Sequence, residues 1–312
     1  MAAIEKIVVV TKKTALEELI LRLNSREQAR FYLEHSGVSF EDYERADAQY
    51  QHALQSVMMQ LPAGLKQQRI DRDLLPTFQF GSQDLVLTLG PDGLVINVAK
   101  YLQQQPILAL NPDPQRIDGI LIPFQHSEAA SVIQKVIKGH MSISPISMAQ
   151  VQLNDGQELY AVNDLFIGTH SHGSARYTIE LGRQHERHSS SGIIISTGAG
   201  CTGWLRSITS GAWQVARFFG AEGDGPQLKD IQLGWASDTL WYSVREPFPS
   251  NTSQASLVFG HIVPGESMRL ISHMPEGGVI FSDGIESDFL HFNAGSIATV
   301  ELAARKAHLL SK

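Results

Sequence analysis

Apolar positions along this chain change their period near the middle. Before residue 140, short β-branched or leucine-rich runs alternate with stretches whose apolar residues recur every three or four positions, which predicts strands and helices in turn. Residues 4–11 (IEKIVVVT) predict a strand. Thr14, with Glu17 three residues on, predicts a capping box that opens a helix over 15–35, ended by Gly37. Leu16, Leu19, Ile20 and Leu23 mark its buried side. Residues 40–60 predict a second helix, stopped by Pro62 and Gly64. A strand at 85–89, a helix at 94–104 and a strand at 106–110 follow as in a βαβ unit, and 126–138 predicts one more helix. After Gly139 the segments shorten and alternate: 150–153, 158–166, 176–181, 192–197, 257–263, 267–272, 278–281 and 296–303 all predict strands. Asn154-Asp155-Gly156 is a hairpin signal between two of them. One helix, over 204–219, interrupts the series. The expected architecture is an α/β domain over residues 1–139 followed by a mostly β domain over 140–312, whose tail is expected to pack back on the first.

Length agrees with that division, since 312 residues exceed what one hydrophobic core usually holds. The net charge of −7 is scattered, with no basic face or stripe, so no nucleic-acid partner is expected. A single cysteine, Cys201, allows no intrachain disulfide and points to a reducing compartment. The strand-like run from Ile4 leaves no room for a leader, and no apolar run approaches a membrane span. The expectation is a cytoplasmic protein with no membrane partner.

Three stretches carry candidate chemistry. In Gly90-Pro91-Asp92-Gly93 a carboxylate sits just past an apolar strand, where ligands of open α/β sheets lie. Pro-Asp-Gly is also a favoured tight turn on backbone grounds alone. Residues 189–204 (SSSGIIISTGAGCTGW) run from a strand through three glycines into a helix, a place for exposed amides to meet a phosphate or ribose. Gly198, Gly200 and Gly203 match the spacing of a dinucleotide fingerprint. The acidic residue that should close the next strand is missing, however, because Glu222 and Asp224 fall in a glycine-rich loop. No lysine follows the glycines, so a P-loop is excluded. Third, Asn163 and Asp164 interrupt an apolar strand with donors and acceptors suited to a base edge and ribose hydroxyls. A bulge or turn is the plainer reading.

Together these stretches resemble the NAD kinases, in particular the mitochondrial-type branch and its bacterial relatives. Gly90-Pro91-Asp92-Gly93 is similar to that family's Gly-Gly-Asp-Gly, and Ala161-Val162-Asn163-Asp164 to its Asn-Glu motif. Ser190-Ser191-Gly192, Thr197-Gly198-Ala199-Gly200 and Trp204 resemble its glycine- and threonine-rich loop. Asn111-Pro112-Asp113-Pro114, Val244-Arg245-Glu246-Pro247 and residues 292–298 follow in order, so the likeness runs from about residue 80 to 303. The resemblance implies a Rossmann-like first domain, a homodimer, and transfer of a phosphoryl group from ATP with Mg²⁺, or from polyphosphate, to the adenosine-ribose 2′-hydroxyl of NAD. It implies Asp92 as general base and Gly90 and Gly93 beside the phosphates. Asn163 and Asp164 would hold adenine and ribose, Thr202, Gly203 and Trp204 would line the adenine pocket, and Thr197 is a nucleotide-binding candidate. Asn111 and Arg245 are further nucleotide-binding candidates.

Departures from the pattern also matter. Pro91 replaces a glycine and removes one main-chain donor, and Leu94 stands where threonine is usual. Asp164 is a methylene shorter than the usual glutamate, and Cys201-Thr202-Gly203 matches neither main branch. These leave open a weakened, nucleotide-binding regulatory protein, or a kinase acting on another hydroxyl such as a sugar or lipid. An oxidoreductase is disfavoured by the missing acidic residue. His170/His172 and His185/His188 have tolerable spacing for zinc but lack a third cluster, and exposed hairpin loops are expected there.

Overall fold

In a parallel sheet covered on both faces, side chains must be apolar on both sides of each strand. β1 (Lys6–Thr11) meets that condition, and α1 (Ala15–Leu23), α2 (Arg26–His35) and α3 (Phe40–Gln60) follow it. β2 (Lys66–Asp71) returns to pair with β1, and β3 (Asp84–Leu89), buried throughout, pairs with β1 on the other side. After α4 (Asp92–Ala99), β4 (Pro106–Asn111) extends the sheet, giving the parallel order β2-β1-β3-β4. β5 (Phe124–Gln125) pairs with the end of β4, and α5 (Ala129–Ile137) packs on the same core. The computed structural model describes residues 4–223 and 234–312. These elements form one unit, Met1–Ser144, which His308–Lys312 joins by pairing in parallel with the start of β4.

The helix expected over 15–35 is two helices. Asn24 takes the left-handed region at φ 65° and Ser25 caps α2 by accepting the Gln28 amide. The capping box at Thr14 and Glu17 forms as expected. α4 ends at Ala99, shorter than expected, and α5 is preceded by a short 3₁₀ turn at His126–Glu128.

Pro145–Ala307 is the second unit, and it is mostly β. Its strands are β6 (Ser142–Leu153, begun in the first unit), β7 (Glu158–Ala161), β8 (Asp164–Thr169), β9 (Ala175–Leu181), β10 (Gln184–Ser190) and β11 (Ile193–Ser196). After α6 (Trp204–Phe218) come β12 (Leu240–Val244), β13 (Phe259–Ile262), β14 (Met268–Ser272), β15 (Gly278–Ser282), β16 (Ile285–His291) and β17 (Ile297–Ser311). One sheet runs β10-β9-β14-β17, with β6 and β7 beyond; the other runs β13-β12-β11-β8-β15-β16, all antiparallel. Leu165, Ile167, Ile193 and Ile195 of the second sheet pack with Tyr177, Ile179, Leu270 and Val300 of the first in one core. On the second sheet's other face, Phe166, Ile194 and Val279 pack with Trp204 and Ile208 of α6.

Candidate functional site

The first unit brings Gly90, Asp92, Gly93 and Asn111 to the carboxyl ends of β3 and β4. Pro91 takes the N-cap position of α4 at φ −74°, and Asp92 is the helix's first residue. There its charge also faces the positive end of the helix dipole. Each carboxylate oxygen of Asp92 accepts a main-chain amide, Oδ1 from Leu121 at 2.8 Å and Oδ2 from Ile120 at 3.1 Å. That loop is shaped by Asn111, which is buried. Its Oδ1 accepts the Asp113 amide at 2.9 Å and its Nδ2 donates to the Ile117 carbonyl at 2.9 Å. Asn111 therefore spends its amide on the loop that orients Asp92. Gly93 is exposed and its Cα has open space beside it.

Beside these residues lies a cavity of about 460 Å³ lined by Lys12, Thr14, Tyr50, Gly90, Pro91 and Arg116, among others. Sequence reasoning missed Lys12 and Tyr50. Their only signal was position, Lys12 just past a strand and Tyr50 on the helix packed over it. The Tyr50 hydroxyl donates to the Leu89 carbonyl at 3.1 Å and accepts the Lys12 amide at 3.2 Å, and burial pushes it up to about 12. Tyr50→Phe leaves one buried main-chain carbonyl, that of Leu89, and the part-buried Lys12 amide without this partner at the cavity's edge, and is expected to cost about 1–3 kcal/mol, read as a lowered thermal midpoint.

The second unit gathers Asn163, Asp164, Thr197, Thr202, Gly203, Trp204 and Arg245. The glycine loop folds onto the Asn163-Asp164 turn. Thr197 is wholly buried; its amide donates to the Asn163 carbonyl at 2.9 Å and its hydroxyl donates to the Val162 carbonyl. The same hydroxyl accepts the Ala199 and Gly200 amides at 3.2 and 3.3 Å. Thr197 is thus committed inside the protein and shapes the loop. Thr202 and Gly203 are exposed at the start of α6. Trp204 stacks on Phe166, centroids 6.0 Å apart at 13°, and the Arg245 guanidinium lies 5.4 Å from its ring centroid. Ser196 donates to Asp164 Oδ1. Asp283, in the β15–β16 turn, accepts three amides from 162–164. It was not legible in advance, because Asp-Gly in a hairpin signals a turn and nothing more.

Burial first, and the nearby Asp283 carboxylate after it, push Asp164 up from 3.8 to about 7, against the Ser196 hydrogen bond that lowers it. A carboxyl whose folded pKa is raised stabilises the fold fully below its unfolded value, and that contribution is lost as pH rises through the folded value. Asp164→Asn is therefore expected to raise the thermal midpoint at pH 8 and to leave it nearly unchanged at pH 4. Melting curves across that range check the sign.

The histidines divide. His170 and His172 are exposed in the β8–β9 turn, as expected. His185 and His188 are on strand β10, not in a loop, and His188 is buried with Nε2 2.9 Å from Glu186 Oε1. Glu186 Oε1 accepts the Ser256 and Leu257 amides, so this pair fastens a neighbouring segment. Among the described residues no three metal-capable side chains gather. Glu222 lies after α6 on no strand, and Asp224 lies outside the described residues.

No family model matches the chain. An NAD kinase of Geotalea daltonii is 31% identical over 135 residues, 40% of this chain and 45% of that protein. One of Chlorobaculum tepidum is 26% identical over 127 residues, 40% and 44%. The chain spans less than half the length of these curated relatives. Among solved structures, yeast NADH kinase complexed with NADH matches with a TM-score of 0.59 at 16% identity, over 100% of this chain and 84% of that one. An Archaeoglobus fulgidus NAD kinase in complex with ATP matches at 0.56 and 13%, over 98% and 93%. The resemblance to the NAD kinases, and the α/β-plus-β fold it implied, are borne out.

Proposed function

We propose that this chain, which shares the fold of the NAD kinases, transfers the γ-phosphoryl group of ATP to the adenosine-ribose 2′-hydroxyl of NAD, giving NADP. The observation that carries the reading is Asp92, a carboxylate at a strand's end held by two amides. Asp92 takes the hydroxyl proton as the ribose oxygen bonds to phosphorus and the bond to the leaving ADP oxygen breaks. Asn163 and Asp164 hold the adenosine, with Thr202, Gly203 and Trp204 along its base and Arg245 toward phosphate. The cavity beside Gly90 and Pro91 takes the donor; Lys12 and Arg116 line it, together with Asp42, Asp47 and Asp113.

Mg²⁺ would arrive on the donor's phosphates, since a magnesium ion keeps few protein ligands in phosphoryl-transfer sites. Bound there, it would neutralise charge on the phosphates. Polyphosphate is the second donor to test. Pro91 favours an alternative, a regulatory nucleotide-binding protein, because the phosphate loop has one amide fewer. We take the working form to be a cytoplasmic homodimer, and no described helix is long and apolar enough to cross a membrane. Purified protein given NAD with MgATP, or with polyphosphate, should form NADP. Tight NAD binding with no product would favour the regulatory reading, and neither binding nor product would end the proposal.

A further inference from the structure

Asp283 stands at φ 55°, in the left-handed region, at the turn between β15 and β16. Its Oδ1 accepts the Asn163 amide at 2.7 Å and the Asp164 amide at 3.2 Å, and its Oδ2 accepts the Val162 amide at 3.0 Å. Its own amide donates to the Asp164 carbonyl at 2.9 Å. Three consecutive amides converging on an anion form the kind of concavity that elsewhere binds a phosphate, here closed by a side chain of the protein. Bonds to a charged acceptor are stronger than neutral ones, so this carboxylate fixes the main chain it touches. The opposite side of the same turn is held by Thr197, whose amide and hydroxyl bond the Asn163 and Val162 carbonyls. Residues 162–164 are therefore clamped from two elements, and only one clamp is charged.

We propose that Asp283 is a positioning residue of the acceptor site, holding the main chain of residues 162–164 so that the Asn163 and Asp164 side chains meet the adenosine of NAD. This rests on the function proposed above. A second consequence follows from charge. Among the described residues, the groups that bear on the Asp164 carboxyl are Ser196 from β11, which donates to it, and Asp283 from the β15–β16 turn, which repels its ionised form. The glycine loop that covers the turn at Gly200 brings no charge. Removing the Asp283 charge must then lower the pH at which Asp164 ionises, and any pH dependence of NAD binding that comes from Asp164 must move with it.

Two variants isolate this role. Asp283→Asn keeps a residue that tolerates the left-handed turn and removes the charge; Asp283→Gly keeps the turn and removes the side chain. The measurements on the full chain are thermal melts, calorimetric NAD titrations from pH 5 to 9, and carbon-13 NMR titration of the Asp164 carboxyl. Expected are cooperative melts in both variants, NAD affinity lower by about tenfold or more, and an Asp164 midpoint shifted to lower pH in Asp283→Asn together with the pH profile of binding. Wild-type affinity with an unmoved midpoint would overturn the assignment. Loss of folding in both variants would also overturn it, by making Asp283 a structural residue. Wild type that binds no NAD while the Asp164 midpoint still drops in Asp283→Asn would instead overturn the acceptor reading, and the role of Asp283 with it, so the two failures are distinct.

Discussion

Asp92→Asn is expected to lower kcat for NADP formation by about 10²–10⁴-fold and to leave NAD affinity nearly unchanged, because a positioned general base contributes that much and acts only in the transition state. The substitution keeps the shape of the side chain, so what is lost is the capacity to take a proton. One complication is specific to this site. Both oxygens of Asp92 accept amides, from Leu121 and Ile120, and an amide side chain sets an N–H₂ against one of these donors. Amide hydrogen exchange at Ile120 and Leu121 separates the two effects. If their protection survives and kcat falls, the loss is chemical; if protection disappears with kcat, the loop is at fault. A variant that keeps more than about a tenth of the wild-type kcat removes Asp92 from the chemistry, since even weak general bases exceed that margin.

Asp92 was legible because a strand buried on both faces has to be apolar throughout, so the point where polarity returns marks its carboxyl end. β3 and β4 read clearly for that reason. β2 did not, because KQQRID is an edge strand, exposed over residues 66–69, that joins β1 mainly through its main chain, with one side-chain bond from the Thr11 hydroxyl to the Ile70 carbonyl. The break between α1 and α2 was hidden because Ala29 and Leu33 share one buried cluster with Leu16 and Leu19, so apolar residues recur across it. Only Asn24, in the left-handed region, and the Ser25 cap reveal the stop. β10 escaped for a different reason, since Glu186 and His188 point inward where an apolar residue is usual. The candidate site residues follow the same logic. Asn163 and Asp164 were conspicuous as polar breaks in an apolar strand. Asn111 was conspicuous too, yet its amide groups are spent on its own loop. Asp283 was invisible because its three bonds reach residues about 120 positions away, and local patterns carry nothing about such partners.

Gly200→Ala is expected to disable NAD binding through packing alone. A Cβ at this position would stand 2.2 Å from the Asn163 carbonyl oxygen and 2.8 Å from Asp164 Oδ1, separations that unbonded atoms do not hold. Neither neighbour can yield cheaply. The Asn163 carbonyl is backbone bonded by Thr197, and the Asp164 carboxyl is fixed by Ser196. The loop must therefore lift away from the turn, and Thr197, which bonds both, is pulled with it. Overpacking of this kind costs about 1–3 kcal/mol, which for a chain of this size lowers the thermal midpoint by roughly 2–5 °C. NAD affinity should fall by more than about tenfold, since that loss needs only 1.4 kcal/mol. Gly211→Ala supplies the contrast. It sits within α6 with open space where a Cβ would go, and should stabilise the helix by about 0.5–1 kcal/mol. Calorimetry and melting of the two variants decide between contact and chain freedom as the reason for glycine at 200. If Gly200→Ala binds NAD and melts like wild type, the loop does not rest on Asn163 and Asp164, and the acceptor site loses its floor.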